Sequence, residues 1–212
     1  MSITDTPAPT VLCVYGSPRI RGNTDTLLDA FATGVEDAGG AAQRVYLRNL
    51  KISPCREIYA CEREGRCALD DDMQPLYDAL RTVDAIALAS PIMFYNVSAQ
   101  AKAFLDRCQA FWCIKYRRKE PVTDHPLALR KGVFLSVGGS KGKKLFDGAL
   151  LSIKYFLETV DAALWNTLTY RSIDARGDIQ DHPSAVAEAR ALGAELVEAV
   201  RADLAEVARG RP

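Results

Sequence analysis

Val11-Leu12-Cys13-Val14-Tyr15-Gly16-Ser17-Pro18-Arg19-Ile20-Arg21-Gly22-Asn23-Thr24, followed by a helical pattern from Asp25 to Ala38, decides how the chain is read. An apolar run, continuous as a strand buried on both faces requires, breaks at glycine. It restarts with Leu27, Leu28, Phe31 and Val35 at helical spacing. A helix that begins in such a loop presents unpaired backbone N–H groups and the positive end of its dipole. Ser17, Asn23 and Thr24 add short donors, Arg19 adds a full charge, and the chemistry that fits is a phosphate. The glycines do not follow G-x-G-x-x-G and no Gly-Lys-Ser/Thr follows, so this is neither the dinucleotide fingerprint nor a Walker loop. An ordinary strand-to-helix turn capped by Asn23 or Thr24 fits the same letters and stays open at this point.

Working outward, Gly39-Gly40 ends the helix and Ala42 to Leu47 reads as a second strand, the spacing of a crossover unit. Residues 48–72 are rich in cysteine and charge, with little periodicity, and read as a long functional loop. Asp70-Asp71-Asp72 is expected to open and cap a helix to about Thr82. Val83 to Ser90 is a third buried strand, running directly into Pro91-Ile92-Met93-Phe94-Tyr95-Asn96, after which Ser98 caps a helix to about Phe111. Gly132 to Val137 is a fourth strand, ending in Gly138-Gly139-Ser140-Lys141-Gly142. A helix from about Lys144 to Val160, a strand within Leu164 to Tyr170 and an amphipathic helix from about 183 to 209 complete the pattern. Alternating strands and helices predict an α/β protein with a mostly parallel sheet, a three-layer sandwich forming one domain over residues 1–212. Ligands of such folds bind beyond the carboxyl ends of the strands, where loops 16–24, 90–97 and 138–142 sit.

Twenty-seven basic and 27 acidic residues among 212 leave no net field to gather nucleic acid or an anionic membrane. Met1 to Thr10 shows no leader and no stretch gives 18 uninterrupted apolar residues, so a cytoplasmic protein is expected, its six cysteines reduced thiols or ligands.

The three loops differ in chemistry. The first offers phosphate donors, the second an apolar and aromatic shelf, and the third lets backbone approach a flat ligand closely. Gly16-Ser17-Pro18-Arg19 with Gly22-Asn23-Thr24, the run from Ser90 to Gln100, Lys102-Ala103-Phe104-Leu105-Asp106-Arg107 and Gly138-Gly139-Ser140 resemble the NADPH-dependent FMN reductase and iron–sulfur flavoprotein group of flavodoxin-like proteins. The resemblance covers roughly residues 10–165. It implies a five-stranded parallel sheet in the order 2-1-3-4-5 and FMN held non-covalently. The phosphate would lie on Ser17, Arg19, Gly22, Asn23 and Thr24, and the isoalloxazine against Pro91, Ile92, Met93, Phe94, Tyr95 and Asn96, with backbone N–H groups of 93–96 near the ring. Gly138, Gly139 and Ser140 would lie near the ring or ribityl chain. It implies an oxidoreductase that accepts electrons from NAD(P)H and reduces a quinone, free flavin or metal, or alternatively a carrier that passes electrons between redox proteins. Relatives of this kind are commonly homodimers or homotetramers. No catalytic side chain is assigned.

Cys55, Cys61 and Cys67 follow one another with five residues between successive cysteines. Iron–sulfur flavoproteins carry a four-cysteine motif here, which laid over this chain places ligands at 55, 58, 61 and 67. Position 58 is Ile58, a side chain that cannot ligate, and this speaks against a cluster unless three cysteines suffice or a fourth ligand comes from elsewhere. The spacings fit no common zinc pattern. Cys13 and Cys108 read as core residues, and the run Lys115-Tyr116-Arg117-Arg118-Lys119 as solvated surface rather than a phosphate dock. His125 and His182 have no nucleophile or carboxylate partner that spacing identifies.

Overall fold

The computed structural model describes residues 7–210, and the reading of the first ten residues falls largely on residues 1–6, outside them. The elements are β1 (Thr10–Tyr15), α1 (Asn23–Asp37), β2 (Ala41–Tyr46), α2 (Ala60–Glu64), α3 (Gln74–Thr82), β3 (Ala85–Pro91), α4 (Ala99–Arg107), α5 (Gln109–Trp112), a π-helical turn (Cys113–Arg118), β4 (Arg130–Gly138), α6 (Asp147–Thr159), β5 (Ala162–Arg171), α7 (Asp178–Asp181) and α8 (Ala185–Ala208). The strands pair in the order β2-β1-β3-β4-β5, every pairing parallel. The chain leaves β1 toward β2 on one side and returns through α3 to β3 on the other, so the topology reverses between β1 and β3.

Period-two alternation divides each central strand between two cores. Val11, Cys13 and Tyr15 face α1 and α8 with Phe31, Leu192 and Leu196, while Leu12 and Val14 face the other layer with Phe104, Phe134 and Phe156. The first layer depends on two glycines. A Cβ at Gly34 would lie 1.8 Å from the Arg190 carbonyl oxygen, and one at Gly193 2.0 Å from that of Phe31, so α1 and α8 touch backbone to backbone. No helix among the described residues is long and apolar enough to cross a membrane.

The acidic triplet departs from expectation. α3 starts at Gln74, and Asp71 instead accepts the Ser53 N–H at 3.0 Å, the Met73 N–H at 3.1 Å and the guanidinium of buried Arg107 at 2.6 Å. Asp72 accepts the Lys51 N–H at 2.6 Å, and Arg107 also donates to the Ser53 carbonyl. Burial opposes the charge on Asp71, yet Arg107 and the two N–H groups hold its carboxyl below the ordinary range. A carboxylate that meets a buried guanidinium gains more than one capping an exposed helix end, so Asp71 and Asp72 close the 48–72 loop instead.

Candidate functional site

At the carboxyl edge of β1 the Gly16 N–H donates to the Ala89 carbonyl at 2.7 Å, and a Cβ at Gly16 would lie 2.8 Å from that oxygen. Only glycine lets the chain turn against β3 here. The Ser17 hydroxyl is buried and accepts the Arg19 N–H at 3.1 Å, so it braces the turn, while Arg19 is exposed and donates to the Asp174 carbonyl at 3.3 Å. Gly22 is the N-cap of α1 and no side chain caps that helix, so the alternative of a turn capped by Asn23 or Thr24 is not what forms. Asn23 turns away from the loop: its amide donates to the Ala175 carbonyl at 2.8 Å and accepts the Gly177 N–H at 2.9 Å. The Asn23 backbone N–H, as that of the first residue of a helix, has no intrahelical acceptor.

Two features of this loop have no local signature in the sequence. Asp25 is buried in the first turn of α1, accepts the Arg21 N–H at 2.9 Å and pairs with Arg48 at 3.0 Å. Burial raises the Asp25 pKa although Arg48 pulls it down. The segment 172–178 forms a fourth loop, clasping the first through Asn23, Arg19 and the Arg176 guanidinium on the Ile20 carbonyl. Asp178 holds that loop by accepting the Asp174 and Ala175 N–H groups at 2.9 and 2.8 Å.

The shelf is a two-residue turn. Met93 and Asn96 exchange backbone hydrogen bonds at 2.8 and 3.0 Å, and the residues between them, Phe94 and Tyr95, have φ of 48° and 61°. Positive φ at both central positions is the geometry that Asn-Gly ordinarily supplies. Two aromatics there are strained, and Phe94 is fully exposed at 104%. Because Met93 and Asn96 spend their N–H groups on each other, the donors expected across 93–96 reduce to those of Phe94 and Tyr95.

Buried hydroxyls bind these edges together. The Ser98 N–H donates to Ser90 Oγ at 2.9 Å, Ser98 Oγ donates to the Gly16 carbonyl, and Ser136 Oγ donates to the Ser90 carbonyl at 2.7 Å. Ser98 also caps α4, accepting the Ala101 N–H at 3.2 Å, as expected. The third loop is pinned to the second by the Ile92 N–H on the Val137 carbonyl at 3.0 Å. Arg171 of β5 donates to the Gly142 and Lys143 carbonyls. A Cβ at Gly148 would lie 2.5 Å from the Tyr95 carbonyl oxygen, so α6 begins directly against the shelf. Loops 16–24, 91–96 and 138–142 thus converge on one edge at the switch between β1 and β3.

A cleft of about 860 Å³ lies elsewhere, between the cysteine loop, α4 and α6, and no residue of 16–24, 91–96 or 138–140 lines it. Cys55, Cys61, Cys67 and Cys108 do. Cys13 and Cys108 are buried as expected, and burial pushes the Cys13 thiol up to about 12. Cys61 Sγ lies 3.5 Å from the buried Cys113 Sγ, and burial together with that neighbour pushes its thiol up to about 12. Ile58 lines the cleft half-exposed where the four-cysteine motif has a ligand, so positions 55, 58, 61 and 67 do not supply the four thiolates of that motif. Among the described residues no three Cys, His, Asp or Glu side chains are grouped as metal ligands.

The basic run 115–119 is largely paired: Lys115 with Asp161 at 2.6 Å, Arg117 with Glu62 at 3.7 Å and Arg118 with Glu120 at 2.8 Å. His125 does have a carboxylate, with Nε2 3.1 Å from Asp84, at the opposite edge of the sheet. Burial lowers its pKa, and Thr10 donates both N–H and hydroxyl to the same Asp84, which makes the group a brace for β1 and β3.

A parallel sheet in the order 2-1-3-4-5, with a helix-opening loop and an aromatic turn meeting at its switch point, defines a flavodoxin-like protein. Solved structures agree on the fold: the NAD(P)H:quinone oxidoreductase from Methanothermobacter marburgensis superposes with a TM-score of 0.65 at 19% identity, over 90% of this chain and 100% of that one. A flavodoxin from the domain Archaea gives 0.54 at 15% identity over 91% and 99%. The chain belongs to the NADPH-dependent FMN reductase family, whose sequence model matches residues 9–164. Curated relatives include an iron–sulfur flavoprotein of Methanosarcina thermophila, 33% identical over 60% of this chain and 62% of that protein. Another, from Archaeoglobus fulgidus, is 38% identical over 44% of this chain and 43% of that protein. The matches thus span less than two thirds of these relatives.

Proposed function

We propose that the chain binds FMN non-covalently at the β1–β3 edge and is an oxidoreductase that takes electrons from NAD(P)H and passes them to a small acceptor such as a quinone, a free flavin or a metal ion. Ser17, Arg19, Gly22, Thr24 and the Asn23 N–H would take the phosphate, Pro91 to Asn96 the ring, and Gly138, Gly139 and Ser140 the ring or ribityl chain. The observation that carries this reading is the Met93–Asn96 turn: two strained aromatics, one wholly exposed, whose N–H groups take no part in the turn's own hydrogen bonds, on the same edge as the helix-opening loop 16–24. Gly16 supplies the close backbone approach at the same edge. When bound, FMN supplies the hydride and electron chemistry. The protein's part is to hold the phosphate on N–H groups and Arg19, present donors at the shelf, and leave one face open. The family match and the relatives named as flavoproteins support the reading.

Mixing the FMN-loaded protein anaerobically with NADPH or NADH in a stopped-flow instrument tests it. Prompt bleaching of the flavin absorbance is expected. Bound FMN that bleaches only with a reduced redox protein would mark an electron carrier, and failure to bind FMN at micromolar concentration would falsify the site itself.

A further inference from the structure

We propose that Cys61 and Cys113 are a modification site, a dithiol that closes to an intramolecular disulfide by exchange with a small-molecule disulfide. Their sulfurs stand 3.5 Å apart, and among the described residues no other pair of thiols is in contact. A disulfide needs about 2.05 Å, so closure asks for a movement of roughly 1.5 Å. The two sides accommodate it differently. Cys113 is fully buried and opens the π-helical turn, itself a local departure from α geometry. Cys61 is partly exposed on the cleft wall in α2, a five-residue helix flanked by left-handed positions at Tyr59 and Gly65. α2 is already held against the turn: Arg118 donates to the Arg63 carbonyl, and Arg117 lies 3.7 Å from Glu62. The pair is therefore pre-docked rather than a chance encounter of mobile loops.

Reachability sets the order of steps. Cys61 loses its proton and attacks a disulfide R–S–S–R from the cleft, forming a mixed disulfide and releasing RS⁻. Cys113 then gives up its proton and attacks the Cys61 sulfur, forming the Cys61–Cys113 bond and releasing the second RS⁻. Two protein thiols are oxidised, one small disulfide is reduced to two thiols, and the two protons end on those thiols. Burial, with the Cys113 sulfur beside it, raises the Cys61 thiol, so the first attack is slow at neutral pH and the exchange is read at equilibrium. The closed form fixes α2, and with it one wall of the 860 Å³ cleft.

The test is made on the full chain and does not involve flavin. The purified protein is equilibrated anaerobically with mixtures of oxidised and reduced glutathione, quenched by alkylation and weighed. As the oxidised fraction rises, the wild type is expected to lose two of its six alkylatable thiols in one step. The cross-link should join the tryptic peptide holding Cys61 to the one holding Cys108 and Cys113, with fragmentation placing it on Cys113. Cys113→Ala should instead accumulate a glutathione adduct on Cys61, and Cys61→Ala should give no cross-link to Cys113. Six alkylatable thiols at every ratio, or a cross-link from Cys61 to Cys55 or Cys67, overturns the proposal. So does anaerobically prepared wild-type protein that carries iron and acid-labile sulfide lost in Cys113→Ala, since those thiols would then be ligands.

Discussion

Arg48 decides the electrostatics of the phosphate edge. An anion loop gains from positive potential, yet Asp25 places a buried carboxylate in the first turn of the helix that opens the loop. Arg48 offsets it at 3.0 Å, donates to the Ser17 carbonyl at 3.4 Å, and stacks over Tyr46, which stacks on Tyr15. Arg48→Met would leave that carboxylate buried without its partner, a loss of about 3 kcal/mol in urea unfolding at neutral pH. The sign with pH follows from the raised pKa of Asp25. A folded carboxyl that holds its proton more tightly than the unfolded one makes stability fall as pH rises from the unfolded value through the folded one. Removing Arg48 lifts the folded value further and widens that window, so the variant should lose less stability near pH 5 than near pH 8. Equal losses at both would remove Asp25 from the explanation.

The turn between β3 and α4 shows strain at the level of an element. Phe94 and Tyr95 sit where bulky side chains cost of the order of 1 kcal/mol or more each, and Phe94 recovers none of it by burial. Phe94→Asn with Tyr95→Gly gives the turn the residues its geometry favours and should raise stability by about 1–2 kcal/mol in denaturant unfolding. The same double variant should bind FMN less well, since the shelf loses both rings. A gain in stability with unchanged FMN affinity would mean the turn is not part of the site. The α1–α8 contact makes the opposite case. Gly34→Ala sets a Cβ 1.8 Å from the Arg190 carbonyl oxygen, so the helices must part, with an expected loss of about 3 kcal/mol and no local remedy because both contacting groups are backbone.

Across the whole molecule, what the sequence showed was what is local. Val11 to Tyr15 and Val83 to Ser90 read as strands because their apolar runs suit burial on both faces, and glycine, serine and proline at their ends marked the loops that converge. What it hid is carried by residues far apart in the chain. Asn23 meets Gly177 across 154 positions, Cys61 meets Cys113 across 52, and Asp71 meets Arg107 across 36. No periodicity encodes such pairs: the cap expected of the acidic triplet became the Asp71–Arg107 contact, and the Asn23 side chain read as a phosphate donor is turned to the 175–177 backbone. This convergence gives the FMN reading a consequence for stability. A ligand held jointly by the ends of β1, β3 and β4 binds the folded state alone, so at one hundred times its Kd it adds about 2.7 kcal/mol, roughly a 6 °C rise in Tm for a chain of this size. Arg19→Ala, by removing a charge-assisted contact worth about 2 kcal/mol, should weaken FMN about thirtyfold. At the same free FMN concentration the shift should then shrink to about 0.9 kcal/mol, roughly 2 °C. Calorimetric scans of both proteins with and without FMN, beside scans with riboflavin, which lacks the phosphate, separate the terms. If riboflavin shifts the wild type as far as FMN does at the same free concentration, the phosphate is not held by the loop at 16–24, and the edge would bind the ring alone.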